Sequence, residues 1–214
     1  MNPELETYRK AFWTSPKAIE EVINRGISLE TADTFNLGYC STEVYSPLND
    51  RLLFPIFDCY GEHVAYQGRA LFDFKSRGVG KFWHNPGDWK SKVLYGLHEN
   101  LELIYEKRYC VIVEGPFDVL ALREAGIPSV AGLGTSFHDV QTFLLARFCK
   151  EWLDWHDHDK AGDVGYESVV SCVSKLKLGV DLTRIPNVGY KDPCDTLKEH
   201  GKRRLIEIVR NRRS

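Results

Sequence analysis

Residues 109–118 read YCVIVEGPFD, and this stretch decides the fold. Its first five residues form a compact, mostly apolar run that is typical of a strand buried inside a parallel sheet. A glycine and a proline follow shortly after, which predicts a sharp turn and then the first turn of a helix. Glu114 therefore stands at the tip of the strand, and Asp118 stands in the first turn of the following helix.

The same alternation of strand and helix continues through the second half of the chain. Further strands are predicted at residues 128–131, 152–155 and 180–185, and helices at residues 117–125, 138–150 and 165–178. Repeated strand–helix–strand units imply a parallel sheet with helices on both faces. In such sheets the chemistry gathers at the carboxyl ends of the strands. We therefore expect an α/β fold whose functional groups lie at those ends.

Acidic side chains collect at the predicted strand ends. They are Glu114, Asp118, Asp157, Asp159, Asp192 and Asp195. A fold that brings these strands together gathers more negative charge than a protein tolerates without a counter-charge. Hard carboxylate oxygens suit Mg²⁺ or Mn²⁺, and metal held in this way usually serves phosphate chemistry. The pattern predicts a metal site that acts on nucleotides or nucleic acid.

Some of these residues have other interpretations. Asp157 and Asp159 are two apart, so in extended backbone both side chains point the same way and could share a cation. His156 and His158 would then point the other way; they could be zinc ligands, but no cysteine stands at a suitable spacing. Asp118 could serve only to stabilise the start of its helix through the helix dipole.

The first half of the chain has a different pattern. Ser15 followed by proline predicts a helix through residue 24, and Ser28 predicts a short helix that reaches about residue 35. The remaining predicted elements are an antiparallel pair at residues 51–58 and 63–72, a short extended piece at 81–85 and a helix at 97–107. We expect a smaller α+β subdomain at residues 1–106, a parallel-sheet domain at 107–200 and a basic helix or tail at 201–214.

The distribution of charge indicates a polyanionic partner. The net charge is only −2, but residues 198–214 carry seven Lys or Arg against two acids. A second basic region, residues 61–100, contains Arg69, Lys75, Arg77, Lys81, Lys90 and Lys92. A basic surface beside an acidic metal site suits a polyanion that is both held and reacted on. The alternative is that these residues only form solvated helix faces.

Cysteine usage and hydropathy predict the compartment. The six cysteines form no C-x-x-C pair, which argues against a zinc ribbon, and we expect them to be reduced and mostly buried. The first residues lack an apolar signal core, and no stretch is long enough to span a membrane. The sequence therefore predicts a cytoplasmic protein (in the host cytoplasm if the source is a virus) with no membrane partner.

The acidic motifs, taken in order, resemble the Toprim fold that topoisomerases and primases share. The signature of that fold is a glutamate at the end of the first strand and an Asp-x-Asp at the end of the third, here Glu114 and Asp157-His158-Asp159. The segments EGPFDV (114–119), GLGTS (132–136), DHDKAG (157–162) and KDPCD (191–195) look like the primase versions of the motifs. Their number and order make the resemblance specific.

The first half resembles the bacterial and phage replicative DNA primase family as well. The similar segments are RLLFPI (51–56), GRAL (68–71), KFWHNP (81–86) and LYGL (94–97). The resemblance spans roughly residues 15–201, nearly the whole chain. The zinc-binding and helicase-binding domains that family members usually carry have no counterpart, and KFWHNP has one residue more than the family's segment. We therefore expect a minimal core of this family.

What the resemblance implies is synthesis of short RNA primers on single-stranded DNA by two-metal nucleotidyl transfer. The implied catalytic residues are Glu114, Asp157 and Asp159. The implied ligands of Mg²⁺ or Mn²⁺ are Glu114, Asp118, Asp157, Asp159, Asp192 and Asp195. The implied DNA or nucleotide contacts are Arg69, Lys81, Asn85, Lys90 and Lys92. The implied partners are a single-stranded DNA template, NTPs, and a replicative helicase or a separate zinc-binding protein.

Two other functions would use the same residues. A Toprim nuclease would cut nucleic acid with the same metals and would not need the segments RLLFPI and LYGL. A catalytically inactive DNA-binding or replication-regulating module could keep the fold, but the retention of six acids argues against it because buried like charges are costly without metal. Phe82 and Trp83 could stack on bases or pack in the core. The loop at 132–136 could bind phosphate or only form a tight turn.

Overall fold

The computed structural model describes residues 3–41, 46–134, 136–187 and 189–213. The α-helices in these ranges are α1 (Pro3–Thr14), α2 (Pro16–Ile23), α3 (Leu29–Thr34), α4 (Leu97–Lys107), α5 (Pro116–Glu124), α6 (Asp139–Ala146), α7 (Lys160–Leu176) and α8 (Pro193–Arg213). The strands are β1 (Gly38–Cys40), β2 (Arg51–Phe57), β3 (His63–Ala70), β4 (Phe82–His84), β5 (Tyr109–Val113), β6 (Ser129–Ala131), β7 (Glu151–Asp154) and β8 (Asp181–Arg184). Two predicted segments extend beyond the described residues: the glycine loop at Thr135 and the C-terminal segment at Ser214.

The second half forms a four-stranded parallel sheet in the order β6-β5-β7-β8. All five residues of β5 are buried, as expected for a central strand that has helices on both faces. The carboxyl ends of parallel strands meet at one edge, so the residues that follow β5 and β7 lie side by side. The predicted α/β class, with a parallel sheet flanked by helices, is confirmed.

The first half forms an antiparallel sheet in the order β1-β2-β3-β4. The predicted pair of strands is β2 and β3, and the predicted extended piece is the edge strand β4. Arg51 is only 4 % exposed at the start of β2, where its guanidinium donates to the backbone carbonyls of Pro47, Gly80 and Lys81. These bonds fix the chain that leads into β4, and with it the position of Lys81.

One apolar core runs through both sheets. The ring of Phe54, on β2, packs edge-to-face on the ring of Phe117 at 5.1 Å and on the ring of Tyr95 at 6.2 Å. Tyr95 also pairs with Ala131 at the end of β6. The antiparallel sheet is therefore fixed against the edge of the parallel sheet. The division into residues 1–106, 107–200 and 201–214 stays a prediction.

Three helices and one strand depart from the sequence prediction. Helix α1 and strand β1 were not predicted; α1 has only Leu5 and Phe12 as buried residues, so its apolar periodicity is weak. Helix α7 begins at Lys160 rather than at residue 165, because Asp159 caps it. Helix α8 is interrupted at Gly201, which takes a positive φ of 73° that glycine adopts without strain.

Two further features were predicted from the sequence, the state of the cysteines and the absence of a membrane span. All six cysteines lie among the described residues and are thiols rather than disulfides, and five of them are buried. Among the described residues, no helix is long and apolar enough to cross a bilayer.

Candidate active site

Glu114 and Asp157 stand next to each other at the carboxyl edge of the parallel sheet. Glu114 comes directly after β5, and Asp157 follows β7, which ends at Asp154. The backbone N–H of Asp157 donates to Oε1 of Glu114 at 3.1 Å. Both carboxylates are half-buried. This hydrogen bond links the tips of two neighbouring strands, as the order of the sheet predicts.

A second group of acids lies where α5 and α8 begin. Oδ1 of Asp118 accepts a hydrogen bond from the backbone N–H of Cys194 at 3.3 Å, which joins the two helix starts. Oδ1 of Asp192 accepts from the backbone N–H of Asp195 at 2.7 Å. A cleft of about 280 Å³ opens between these acids and the antiparallel sheet. Its charged lining residues are Asp118, Asp192, Asp195, Arg25, Arg69, Lys81 and Lys191.

Burial, together with neighbouring negative charges, raises the pKa of four of the acids. Burial raises the pKa of Asp118 well above its ordinary value, and the charges of Asp192 and Asp157 raise it further. Burial is also the main cause of the raised pKa of Asp157, Asp192 and Glu114. The ammonium group of Lys191, 3.4 Å from Oδ2 of Asp157, compensates in part, and Asp157 raises its pKa in return.

Asp159 has a role that the sequence argument missed. Both Asp157 and Asp159 lie in the loop after β7, so the alternation of an extended strand does not apply to them. The carboxylate of Asp159 instead accepts from the backbone N–H groups of Ala161 and Gly162, at 2.9 and 3.0 Å, and caps α7. These bonds lower its pKa. Asp159 is near the other acids but is directed to the helix.

The donor set suits a hard divalent cation. Across residues 3–41, 46–134, 136–187 and 189–213, no three His, Cys, Asp or Glu side chains already stand in a metal-holding arrangement. Binding would therefore require side-chain rotation of the acids. The chemistry nevertheless fits: the available atoms are carboxylate oxygens, and a dication would offset both the burial of these charges and their mutual repulsion.

The opposite wall of the cleft is basic. Arg25 and Arg69 both donate from Nε to Oε1 of Glu21, at 2.9 and 3.0 Å. Both guanidinium groups also lie over the ring of Phe117, at 4.1 and 5.3 Å from its centroid. Burial lowers the pKa of Lys81, and the positive charges of Arg69 and Arg25 lower it further. Arg25 and Arg69 are held in place, and burial lowers the pKa of Arg69 as well as that of Lys81, which favours an anionic ligand that would stabilise their charges.

Arg25 and Lys191 also line this cleft, although neither was predicted from the sequence to do so. Arg25 precedes Gly26 at the end of α2, where a basic residue is expected at any helix end. Its place in the site depends on contacts with residues 117 and 194, which the sequence does not reveal. Lys191 belongs to the KDPCD segment (191–195). Its place beside the acids of that segment was the sequence signal that could have indicated its role in the cleft.

Three predicted contact residues lie outside the cleft, around Trp89. Oδ1 of Asn85 accepts from the backbone N–H of Tyr66 at 2.6 Å and so joins β4 to β3. The ammonium group of Lys90 lies 5.8 Å from the ring centroid of Trp89, and Lys92 pairs with Asp88 at 2.6 Å. The structure does not bring these residues together with the acids, and their contact with DNA or nucleotides stays a prediction.

The two aromatic residues of β4 face different surroundings. Phe82 is 38 % exposed and lines the cleft beside Lys81. Trp83 is half-buried and packs against the small apolar cluster of Leu5, Leu53 and Tyr66. Of the two predicted stacking residues, Phe82 is the one that a ligand in the cleft can reach.

The parallel sheet and the acids at its carboxyl edge together indicate the class of protein. Residues 111–197 match the family described as Toprim-like. That range begins inside β5 and ends in α8, so it contains all six predicted acids.

The relatives of the whole chain identify the family more closely. The chain is 30 % identical over 226 residues to the DNA primase of Haemophilus influenzae, covering 100 % of this chain and 37 % of that protein. The structure of the Aquifex aeolicus primase (zinc-binding and RNA polymerase domains) is 28 % identical, with a TM-score of 0.85, over 97 % of this chain and 58 % of that one. The chain belongs to the DNA primase family and spans well under half the length of the Haemophilus influenzae relative.

A third relative shows the fold. The DnaG primase catalytic domain bound to single-stranded DNA superposes with a TM-score of 0.84 at 22 % identity. The superposition covers 99 % of this chain and 77 % of that one. The described residues, including the antiparallel sheet, thus have the fold of that domain.

Proposed function

We propose that this chain is a primase core that synthesises short RNA primers on single-stranded DNA by two-metal nucleotidyl transfer. The observation that carries the proposal is the cleft in which Asp118 and Asp192 face Arg69 and Lys81. A reaction between a nucleic acid and a nucleoside triphosphate needs both halves of such a cleft: cations for the phosphates and carboxylates for metal. The relationship to named DNA primases supports the same reaction.

The acids would hold Mg²⁺ or Mn²⁺. Glu114, Asp157 and Asp118 would be the central ligands, and Asp159, Asp192 and Asp195 stand next to them. When bound, the ions would activate the attacking hydroxyl and neutralise the charge that develops on the transferred phosphoryl group. The backbone N–H of Asp157 already bonds to Glu114, so the two strand ends that carry these ligands would be placed before an ion arrives and the side chains would then rotate.

The basic wall would orient the substrates. Arg25 and Arg69 are held by Glu21 and by the ring of Phe117, so little side-chain entropy would be lost when they bind phosphate. Lys81 would gain most from an anion, because burial and two neighbouring arginines disfavour its charge. The exposed ring of Phe82 offers a face on which a base could stack.

The remaining predicted contacts would extend the binding surface beyond the cleft. Lys90, Lys92 and Asn85 would meet template phosphates along the segment before α4, and each added phosphate contact would make binding more sensitive to salt. Single-stranded DNA and NTPs would be the substrates. A replicative helicase or a separate zinc-binding protein would be further partners, and the cytoplasm would be the compartment.

The proposal is tested by a primer-synthesis assay on mixed-sequence single-stranded DNA with labelled NTPs, with and without Mg²⁺ or Mn²⁺. We expect metal-dependent oligoribonucleotides from the wild type and from Glu102→Gln, an exposed acid on α4, and none from Asp157→Asn. Shortening of the template would indicate a nuclease instead. DNA binding without product, also after addition of a helicase and a zinc-binding partner, would indicate a non-catalytic module. Either result would overturn the proposal.

A further inference from the structure

A second group of charged side chains lies immediately before the Asp157 loop. Asp154, the last residue of β7, is 0 % exposed, and its Oδ1 lies 2.6 Å from Nδ1 of His156. His156 is itself buried. From β8, Arg184 places Nε 3.7 Å from Oδ2 of Asp154. A buried carboxylate is unfavourable unless it is paired and hydrogen-bonded. The bond to His156 and the charge of Arg184 offset part of that cost, although Oδ2 of Asp154 makes no hydrogen bond among the described residues.

Helix α7 packs its backbone directly against the same loop. A Cβ atom on Gly165 would lie 2.6 Å from Cδ2 of His156, and one on Gly162 would lie 1.8 Å from the carbonyl oxygen of Asp157. Both positions therefore require glycine. The ring of His156 is held between the carboxylate of Asp154 and the helix, which leaves the loop little freedom to rearrange.

Each residue of the loop up to Asp157 has its own attachment. The backbone N–H of Trp155 donates to the carbonyl of Ile112, on β5, at 2.8 Å. The side chain of His156 bonds to Asp154. The backbone N–H of Asp157 donates to Glu114 at 3.1 Å. The bond between His156 and Asp154 is the one in this series that is made by two side chains, and it stands directly before the carboxylate that would bind metal.

We propose that Asp154 and His156 are positioning residues that set the carboxylate of Asp157 relative to Glu114 for divalent-ion binding. This inference rests on the proposed function, because it concerns the same metal site. The pair touches neither substrate nor ion; it acts by fixing the loop that carries Asp157. Residues that orient metal ligands typically change metal affinity by about 10- to 100-fold when they are replaced.

The test is the Mn²⁺ affinity of the full chain, measured by calorimetry or by electron paramagnetic resonance without nucleotides. Asp154→Leu and His156→Phe should each weaken Mn²⁺ binding by about tenfold or more. The double variant should bind Mn²⁺ no more weakly than Asp154→Leu alone, because both changes remove the bond between His156 and Asp154. Asp154→Asn keeps an oxygen that can accept from Nδ1 of His156, and should retain most of the affinity. The KM for Mn²⁺ in primer synthesis should rise more than kcat falls.

The matched control is Asn100→Ala. Asn100 is also 0 % exposed, and its Nδ2 donates to the carbonyl of Ser129 at 2.8 Å, at the amino end of β6 and thus away from the acids. Its loss should lower the free energy of unfolding but leave Mn²⁺ affinity at the wild-type value. If Asp154→Leu does not fold, His156→Phe decides alone, since Arg184 still pairs with Asp154.

The possible results distinguish a failure of the positioning role from a failure of the proposed function. Wild-type Mn²⁺ affinity in a folded His156→Phe variant would overturn the positioning role while leaving the proposed function intact. Equal Mn²⁺ affinity in the wild type and in Asp157→Asn would remove the metal site itself, and would overturn the proposed function and this inference together.

Discussion

Among the acids of the site, Asp118 is the one whose pKa burial and neighbouring negative charges raise most. Its pKa is raised first by burial and then by Asp192 and Asp157. A carboxyl group whose pKa is raised on folding contributes its stability at low pH, where it keeps its proton, and loses that contribution as pH rises through the folded-state pKa. Without metal, the ionised form therefore destabilises the fold at neutral and alkaline pH.

We expect Asp118→Asn to raise the Tm of the metal-free protein at pH 8. For a chain of this length, a gain of about 1 kcal/mol corresponds to about 2–4 °C in Tm, and the shift should be of that order. The measurement is thermal denaturation in EDTA between pH 5 and pH 8; the difference should shrink towards pH 5, and Mg²⁺ should stabilise the wild type more than the variant. Asp159→Ala is the control of opposite sign, because that carboxylate caps α7 and its loss should lower Tm. A variant that melts below the wild type at pH 8 in EDTA would contradict the repulsion among the acids.

Glu99 offers a test of burial away from the acids. Burial raises its pKa to about 7, and among the described residues its Oε1 has no hydrogen-bond partner. The ionised form should therefore destabilise the fold above pH 7. We expect Glu99→Gln to match the wild type near pH 4.5 and to exceed it by about 1–3 kcal/mol at pH 8.5, since one pKa unit corresponds to about 1.4 kcal/mol. Urea denaturation at both pH values measures this, with Glu102→Gln on the same helix as a control for the lost charge. A difference in the free energy of unfolding between Glu99→Gln and the wild type that does not change with pH would contradict the raised pKa of Glu99.

Among the elements, helix α7 determines how the Asp157 loop is built. Its glycines at positions 162 and 165 allow the helix backbone to contact the loop. We expect Gly162→Ala to destabilise the protein more than Gly165→Ala, because the first would meet a backbone carbonyl of residue 157 and the second a side-chain ring. Both should lose about 2 kcal/mol or more in urea denaturation, the range typical of overpacked sites.

Gly134→Ala is the matched control for these two variants. A Cβ atom on Gly134 would meet no atom within 4 Å, so its free energy of unfolding should stay close to that of the wild type. If Gly162→Ala were as stable as Gly134→Ala, the close approach of α7 to the loop would not exist in solution.

The strands and helices also show which features of the fold can be predicted from a few neighbouring residues. An apolar run followed by Glu114 and Gly115 predicted the central strand and its acidic tip, because the signal lies within a few residues. The same glycines that let α7 contact the loop lowered the helical signal at its start, so the helix was predicted five residues too late. Extended backbone would give the side chains of Asp157 and Asp159 one orientation, but Asp159 caps α7 instead.

Long-range contacts account for what the sequence could not predict in the site. Arg25 belongs to the cleft because Phe117 and Cys194 fold against it, and those residues are about 90 and 170 positions away along the chain. Asp154 lies within the strand predicted at residues 152–155, but its partners on β8 and in the loop became visible only in the fold. Local patterns predict elements and strand tips, whereas side-chain partners from distant segments depend on packing.

Over the whole molecule, the negative and positive side chains are separated into different surfaces. The net charge of −2 conceals an acidic sheet edge and a basic wall that face one cleft. DNA phosphates that approach Arg69 and Lys81 therefore also approach Asp118 and Asp192, which repel them. A bound dication would reverse that contribution, so DNA and metal should favour each other's binding by the same factor.

We therefore expect affinity for single-stranded DNA to rise about tenfold when Mg²⁺ replaces EDTA at constant ionic strength, within the range typical of coupled sites. Fluorescence anisotropy of a labelled oligonucleotide without NTPs measures this. Asp192→Asn should bind DNA more tightly than the wild type in EDTA and gain less from Mg²⁺, because one source of repulsion is already removed. Glu102→Gln removes the same charge outside the cleft and should behave as the wild type, which distinguishes local repulsion from a change in net charge. If Mg²⁺ left the affinity unchanged in the wild type, or if both variants gained equally, the acids and the DNA-binding wall would not share one site.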